Sequence, residues 1–232
     1  MLNIRGTSGP DYLIGSSGKD TIRGLPGDDT LDGRQGDDRL FGGFGDDLIY
    51  GHSGNDVAVA GPGNDTVYGE DGRDTLIGRS GNDLMYGGND NDVLRGGDDR
   101  DTLFGDDGND RLFGDAGRDS LLGGFGDDIL IGGADRDTLT GGAGKDKFKF
   151  NSPSEGVDII LDFDFREGDK VVIDASGFGN AQISQFSASY DPATDTSTLF
   201  FDPYTGPVVE VAELRNLTAS YEFIVSADIT LV

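Results

Sequence analysis

Gly42-Gly43-Phe44-Gly45-Asp46-Asp47-Leu48-Ile49-Tyr50 is nine residues long, and the next nine, Gly51 to Val59, repeat its plan. Followed outward in both directions, the plan Gly-x-x-Gly-x-Asp-x-apolar-x fills residues 6–149 as sixteen consecutive nonapeptides with no insertion or deletion. The sixth position is aspartate every time: Asp11, Asp20, Asp29, Asp38, Asp47, Asp56, Asp65, Asp74, Asp83, Asp92, Asp101, Asp110, Asp119, Asp128, Asp137 and Asp146. The eighth is always apolar, from Leu13 and Ile22 to Leu130 and Phe148, with Ala58 the smallest. Glycine holds the first position in fifteen repeats, Ala60 being the exception, and the fourth in thirteen, where Asp90, Asp99 and Asp135 replace it. These are turn positions that require positive φ or close backbone approach, and aspartate is among the few residues that tolerate the left-handed region. Six residues of each repeat therefore form a turn and the last three a short strand, whose middle side chain points inward. Two repeats complete one coil.

Composition bounds the partners. Only 34% of the 232 residues are hydrophobic and 40 are glycine, so an ordinary packed core is not expected. That composition alone matches a disordered chain; the order of the residues says otherwise. A formal charge of −26 opposes nucleic acid and anionic lipid and favours cations. There is no cysteine, and His52 is the single histidine, which leaves hard oxygen ligands for any metal. The first residues lack the apolar core of a signal peptide, and no stretch approaches a membrane span, so neither Sec-type export nor membrane insertion is expected.

Repeats such as Gly42 to Tyr50 and Gly123-Gly124-Phe125-Gly126-Asp127-Asp128-Ile129-Leu130-Ile131 resemble the RTX, or haemolysin-type, calcium-binding nonapeptides. The resemblance covers residues 6–149 and implies a right-handed parallel β-roll with calcium in the turns on both edges. It divides the chain into a lead-in of residues 1–5, the roll at 6–149, and a β-rich cap at 150–232.

With two repeats per coil, each aspartate lies beside the one eighteen residues later, and the sixteen sort into two ladders of eight. One begins Asp11, Asp29, Asp47; the other begins Asp20, Asp38, Asp56. Neighbouring carboxylates repel unless a cation lies between them, and turn carbonyls that no strand satisfies supply further oxygens. Calcium accepts six to eight such ligands in flexible geometry, whereas magnesium holds to an octahedron and keeps its waters. Seven gaps on each edge set a ceiling of about 14 ions. One inward side chain per repeat makes a thin core, so the chain is expected to be largely unfolded without calcium.

Outward, the ninth positions on one sheet read Ile14, Asp32, Tyr50, Tyr68, Tyr86, Phe104, Leu122, Thr140, an aromatic stripe. It reads either as a stacked ladder that stabilises a parallel sheet or as a platform for a glycan or cell surface. His52 falls in a turn, where it is expected to be solvated.

After Lys149 the period stops and the chain becomes more hydrophobic, with Phe148, Phe150, Ile160, Phe163 and Ile173 available to cover the last coil. Later strands are expected around the turn at 191–196, at 208–214 and at 223–232. Residues 150–232 resemble the segment that follows the repeats in serralysin-type proteins. That resemblance implies a further calcium at Asp158 and Asp169, an uncleaved C-terminal signal read by a type I secretion machinery, and an extracellular bacterial location. Scarce cytosolic calcium would then keep the chain unfolded until it leaves the cell.

No catalytic activity is expected: the chain lacks the His-Glu-x-x-His of zinc proteases, the Gly-x-Ser-x-Gly elbow and the Walker loop. A free-standing secreted protein and the C-terminal module of a larger secreted enzyme or adhesin remain open.

Overall fold

The computed structural model describes residues 1–164, 166–174, 176, 178, 186–191, 196–201, 209–215 and 229–231. Among these the chain is all β, a parallel solenoid in which successive strands alternate between an eleven-stranded and a twelve-stranded sheet. Within the repeats each strand pairs in parallel with the repeat strand two along, in a register shift of eighteen residues, as in Met85↔Leu103 and Leu94↔Leu112. Two repeats per coil follow directly.

The eighth-position side chains stack in a single column between the sheets. Ile22, Leu31, Leu40, Ile49, Val67, Met85 and their equivalents are fully buried, while Leu13 in the first coil is only half-buried. First-position glycines also face inward, so each strand buries alternate residues over its first four positions.

Strands are longer than the three residues expected. From β5 (Arg39–Phe44) to β16 (Thr138–Ala143) each spans six, because the ladder of hydrogen bonds between coils carries on through the first three positions of the next repeat. The turn proper is only the Gly-x-Asp at positions four to six. Glycine's two roles also separate. The fourth position has positive φ throughout most of the roll, and Asp90, Asp99 and Asp135 adopt it too, at 75°, 79° and 77°. The first position is a close approach instead. Positive φ appears a second time at position two, where the sequence is unrestricted, as in Leu25 at 88° and Arg79 at 105°.

The roll does not stop at Lys149. Strand β17 (Lys147–Phe150) pairs in parallel with β19 (Lys170–Ile173), and β16 with β18 (Asp158–Ile160), so the coil continues with longer connections. Phe148, Phe150, Ile160, Phe163 and Ile173 are all buried and extend the core column. A meander of β20 (Phe186–Asp191), β21 (Thr196–Phe201) and β22 (Val209–Arg215) ends the twelve-stranded sheet antiparallel, and β23 (Ile229–Leu231) closes the other in parallel. The turn expected at 191–196 and the end expected to carry an export signal lie largely outside the described residues.

Candidate metal centre

Each repeat brings its aspartate to the end of the turn, immediately before the strand, with the side chain folded under the coil. From Asp20 to Asp146 these residues are 0–3% exposed. One carboxylate oxygen, Oδ1, accepts a hydrogen bond from the backbone N–H of the aspartate one coil earlier, at 2.6–2.9 Å, from Asp11 N–H to Asp29 through Asp128 N–H to Asp146. The two ladders read from the sequence are thus continuous chains of amide-to-carboxylate bonds.

The other oxygen is different. Oδ2 is buried without a hydrogen-bond partner in all fourteen repeats from Asp29 to Asp146. In each of these repeats but that of Asp65, which opens with Ala60, it is aimed at the bare Cα of the first glycine: a Cβ at Gly78 would lie 2.1 Å from Asp83 Oδ2 and 2.6 Å from the carbonyl oxygen of Gly96, one coil on. Carboxylate and carbonyl oxygens therefore converge on a cradle that a side chain would fill. Unpaired buried carboxylates are costly, and so many in one repeating geometry fit a cation held by oxygen. Among the described residues no three acidic or histidine side chains converge, and the carbonyl oxygen of the first residue one coil on is the nearest further oxygen, as Gly96 is for the Asp83 cradle.

Burial raises the pKa of these carboxyls, and neighbouring carboxylates add to it. Asp92 and Asp101 are pushed up to about 8, and Asp47, Asp65, Asp83 and Asp137 to about 7, the amide hydrogen bond offsetting only part.

The ends differ from the middle. Thr7 donates its N–H and hydroxyl to Asp11 Oδ2 at 2.6 and 3.0 Å, and Ser16 does the same to Asp20, both at 2.7 Å. The Ser16 hydroxyl accordingly holds the Asp20 carboxyl below the usual range. At the other end Asp158 and Asp169 take the next rung of each ladder. Their Oδ1 atoms accept from Asp137 N–H at 3.1 Å and from Asp146 N–H at 3.0 Å, across spacings of 21 and 23 residues. Asp169 Oδ2 is met by Asp164 N–H at 2.8 Å.

Two features escaped the sequence reading. Fifth-position Asp and Asn side chains form a second ladder of opposite sense, accepting from the N–H one coil later, as Asn64 does from Asn82 and Asn109 from Asp127. Their frequency at that position was the available signal. His52, expected to be solvated, is partly exposed and also lies between two carboxylates, 2.8 Å from Glu70 and 3.3 Å from Asp32, with its ring stacked on Tyr50 at 5.7 Å.

A parallel solenoid whose turns from Asp29 to Asp146 each end in a buried, half-satisfied carboxylate defines a class of metal-dependent repeat protein. Residues 3–149 match the RTX calcium-binding nonapeptide repeat in overlapping segments, and the chain belongs to that family; its repeats are calcium-binding repeats. Among curated proteins none matches. The AlgE6R3 subunit of the mannuronan C5-epimerase of Azotobacter vinelandii is 28% identical, covering 61% of this chain and 78% of its own, with a TM-score of 0.33. A calcium-dependent β-helical antifreeze protein from an Antarctic bacterium is 22% identical over 76% and 88%, with a TM-score of 0.27. The extracellular lipase LipA of Serratia marcescens is 17% identical, covers 97% of this chain and 40% of its own, and has a TM-score of 0.28.

Proposed function

We propose that this is an extracellular calcium-binding roll that folds when it meets calcium after type I secretion, with the sixth-position aspartates as ligands. The observation that carries the reading is the set of fourteen buried Oδ2 atoms with no partner. In the gaps they line, Asp29 to Asp146 and the first-position carbonyls would hold the ions, and bound calcium would supply the positive charge that the ladders lack. Thr7 and Ser16 occupy the free oxygen at the first rungs, so ions are assigned to the later ones. Asp158 and Asp169 extend the ladders into the cap, with Asp169 already satisfied by Asp164.

Far-UV circular dichroism of the metal-free protein, titrated with calcium against a magnesium control, tests this. Cooperative appearance of β structure with calcium alone is expected; a spectrum indifferent to calcium overturns it.

The aromatic stripe supports a structural role over a glycan platform. Tyr50, Tyr68, Tyr86 and Phe104 stack with centroids 5.2, 5.0 and 4.8 Å apart and planes within 5–7°. Each ring covers its neighbour's face, leaving edges and hydroxyls outward.

A further inference from the structure

Within residues 6–149 most of the acids lie at positions four to six, in the turns, and the two outer sheet faces carry different chemistry. At the outward seventh and ninth positions of the eleven-stranded sheet, from β1 (Asn3–Arg5) to β17, there is no carboxylate at all. Cations gather there in three bands, in a chain that is otherwise strongly acidic. Arg5, Arg23 and Arg39 form the first; Arg95 and Arg111 the second; Lys147, Lys149 and Lys170 the third. Between the bands lie half-buried aliphatics such as Val59, Ile77 and Ile131.

Like charges are set directly side by side, as Arg5 against Arg23. Such pairs destabilise a sheet unless an anion joins them. At the second and third bands the face deepens into a recess of about 680 Å³. Its floor is Phe113, Ile129 and Ile131, and its cations are Arg95, Arg111 and Lys149. The loop after β17 walls it with the polar groups of Asn151, Ser152 and Ser154. Two acids also line it: Asp115 pairs with Arg95 at 3.2 Å, and Glu155 accepts from Asn151 N–H at 2.9 Å. Arg95 and Arg111 lie over the Phe113 ring at 4.9 and 5.7 Å, which holds their guanidinium groups along the face.

We infer that this face docks a linear polysaccharide bearing carboxylates, laid along the roll axis across the three bands. Coils about 4.8 Å apart place Arg23 and Arg95 roughly 19 Å apart, and Arg95 and Lys149 roughly 14 Å, spans that one extended chain bridges. The strip is flanked on both sides by acidic turns. A flat anionic membrane would press against those turns, whereas a single narrow chain lies between them. Short aliphatics and the Phe113 ring offer a floor for sugar rings, and among the described strands of this sheet Phe44, at the end of β5, is the one exposed large apolar side chain, too little to seat the roll in a bilayer. Guanidinium groups bind carboxylates in bidentate fashion.

The test is isothermal titration of the calcium-loaded full chain with carboxymethylcellulose, and with its neutral relative hydroxyethylcellulose. Binding of the first alone is expected. The Arg95→Ala/Arg111→Ala/Lys149→Ala variant, with its calcium-loaded dichroism unchanged, is expected to lose about tenfold or more. Arg73→Ala/Arg118→Ala, cations in the turns, is expected to bind as the parent does. The inference is overturned if neither polymer binds, if both bind equally, or if the triple variant binds undiminished. Tighter binding of phosphatidylserine vesicles or single-stranded DNA than of carboxymethylcellulose overturns it equally.

Discussion

Asp83 shows what the sixth position does and what its replacement would change. Its Oδ1 is already engaged by Asp65 N–H, and Oδ2 is buried without a hydrogen-bond partner. Asp83→Asn keeps the acceptor and removes the buried charge, so the metal-free chain should gain structure while calcium affinity falls, a pair of opposite shifts that calcium titration by dichroism would separate. Gly78→Ala should weaken the same gap by filling the cradle from the other side. Position two makes the converse point: exposed Arg79 sits at φ 105°, and Arg79→Gly should stabilise the calcium-loaded protein by about 1 kcal/mol in urea unfolding. The aspartate and the glycines were legible because aspartate recurs sixteen-fold at the sixth position and glycine fifteen-fold at the first and thirteen-fold at the fourth. The left-handed turn at position two was not, since that backbone is imposed by coil stacking and Leu25, Arg79 and Glu70 all submit to it.

At the scale of the strand, the aromatic ladder and the hydrogen-bond ladder share a spacing. Tyr68 stacks on two neighbours and Phe104 on one ring, Tyr86. Tyr68→Ala should therefore cost about 1–3 kcal/mol, from two stacks of roughly 0.5–1.5 each, and Phe104→Ala about half as much, measured as shifts in urea midpoint at fixed calcium. The period of nine predicted this column, because residues eighteen apart are neighbours. Strand length was underestimated for a related reason. Periodicity in side chains reports only the three residues with an in–out pattern, whereas the backbone ladder continues through glycine and polar positions that carry no such signal. Beyond Lys149 the connections lengthen to 21 and 23 residues, and a fixed period cannot see that Asp158 and Asp169 occupy the next rungs.

For the whole molecule, the raised pKa values of the ladder aspartates set the pH behaviour. An aspartate near 3.9 when unfolded and about 7 when folded takes up a proton on folding, so between those values stability falls as pH rises. The metal-free chain should therefore gain β structure on acidification from pH 8 towards pH 4, the reverse of ordinary acid denaturation. Calcium binding should release protons and weaken as pH drops below about 7, which titration in buffers of different ionisation enthalpy would record. The composition hid this: a net charge of −26 implies exposed acids, yet the ladder aspartates are among the most buried side chains in the protein.

The alternation of repeats between two unlike faces has a consequence for how such a chain can change in length. Removing two consecutive nonapeptides, residues 69–86, restores every joint, because coil meets coil in the same eighteen-residue step. Removing one, residues 69–77, also preserves each cradle, but it sends all later repeats to the opposite sheet. The tyrosine column would then be cut, and Arg95 and Arg111 would face away from Arg23. Length in this architecture has a parity: growth and loss by pairs are silent to both surfaces, and a single repeat is a frameshift in three dimensions.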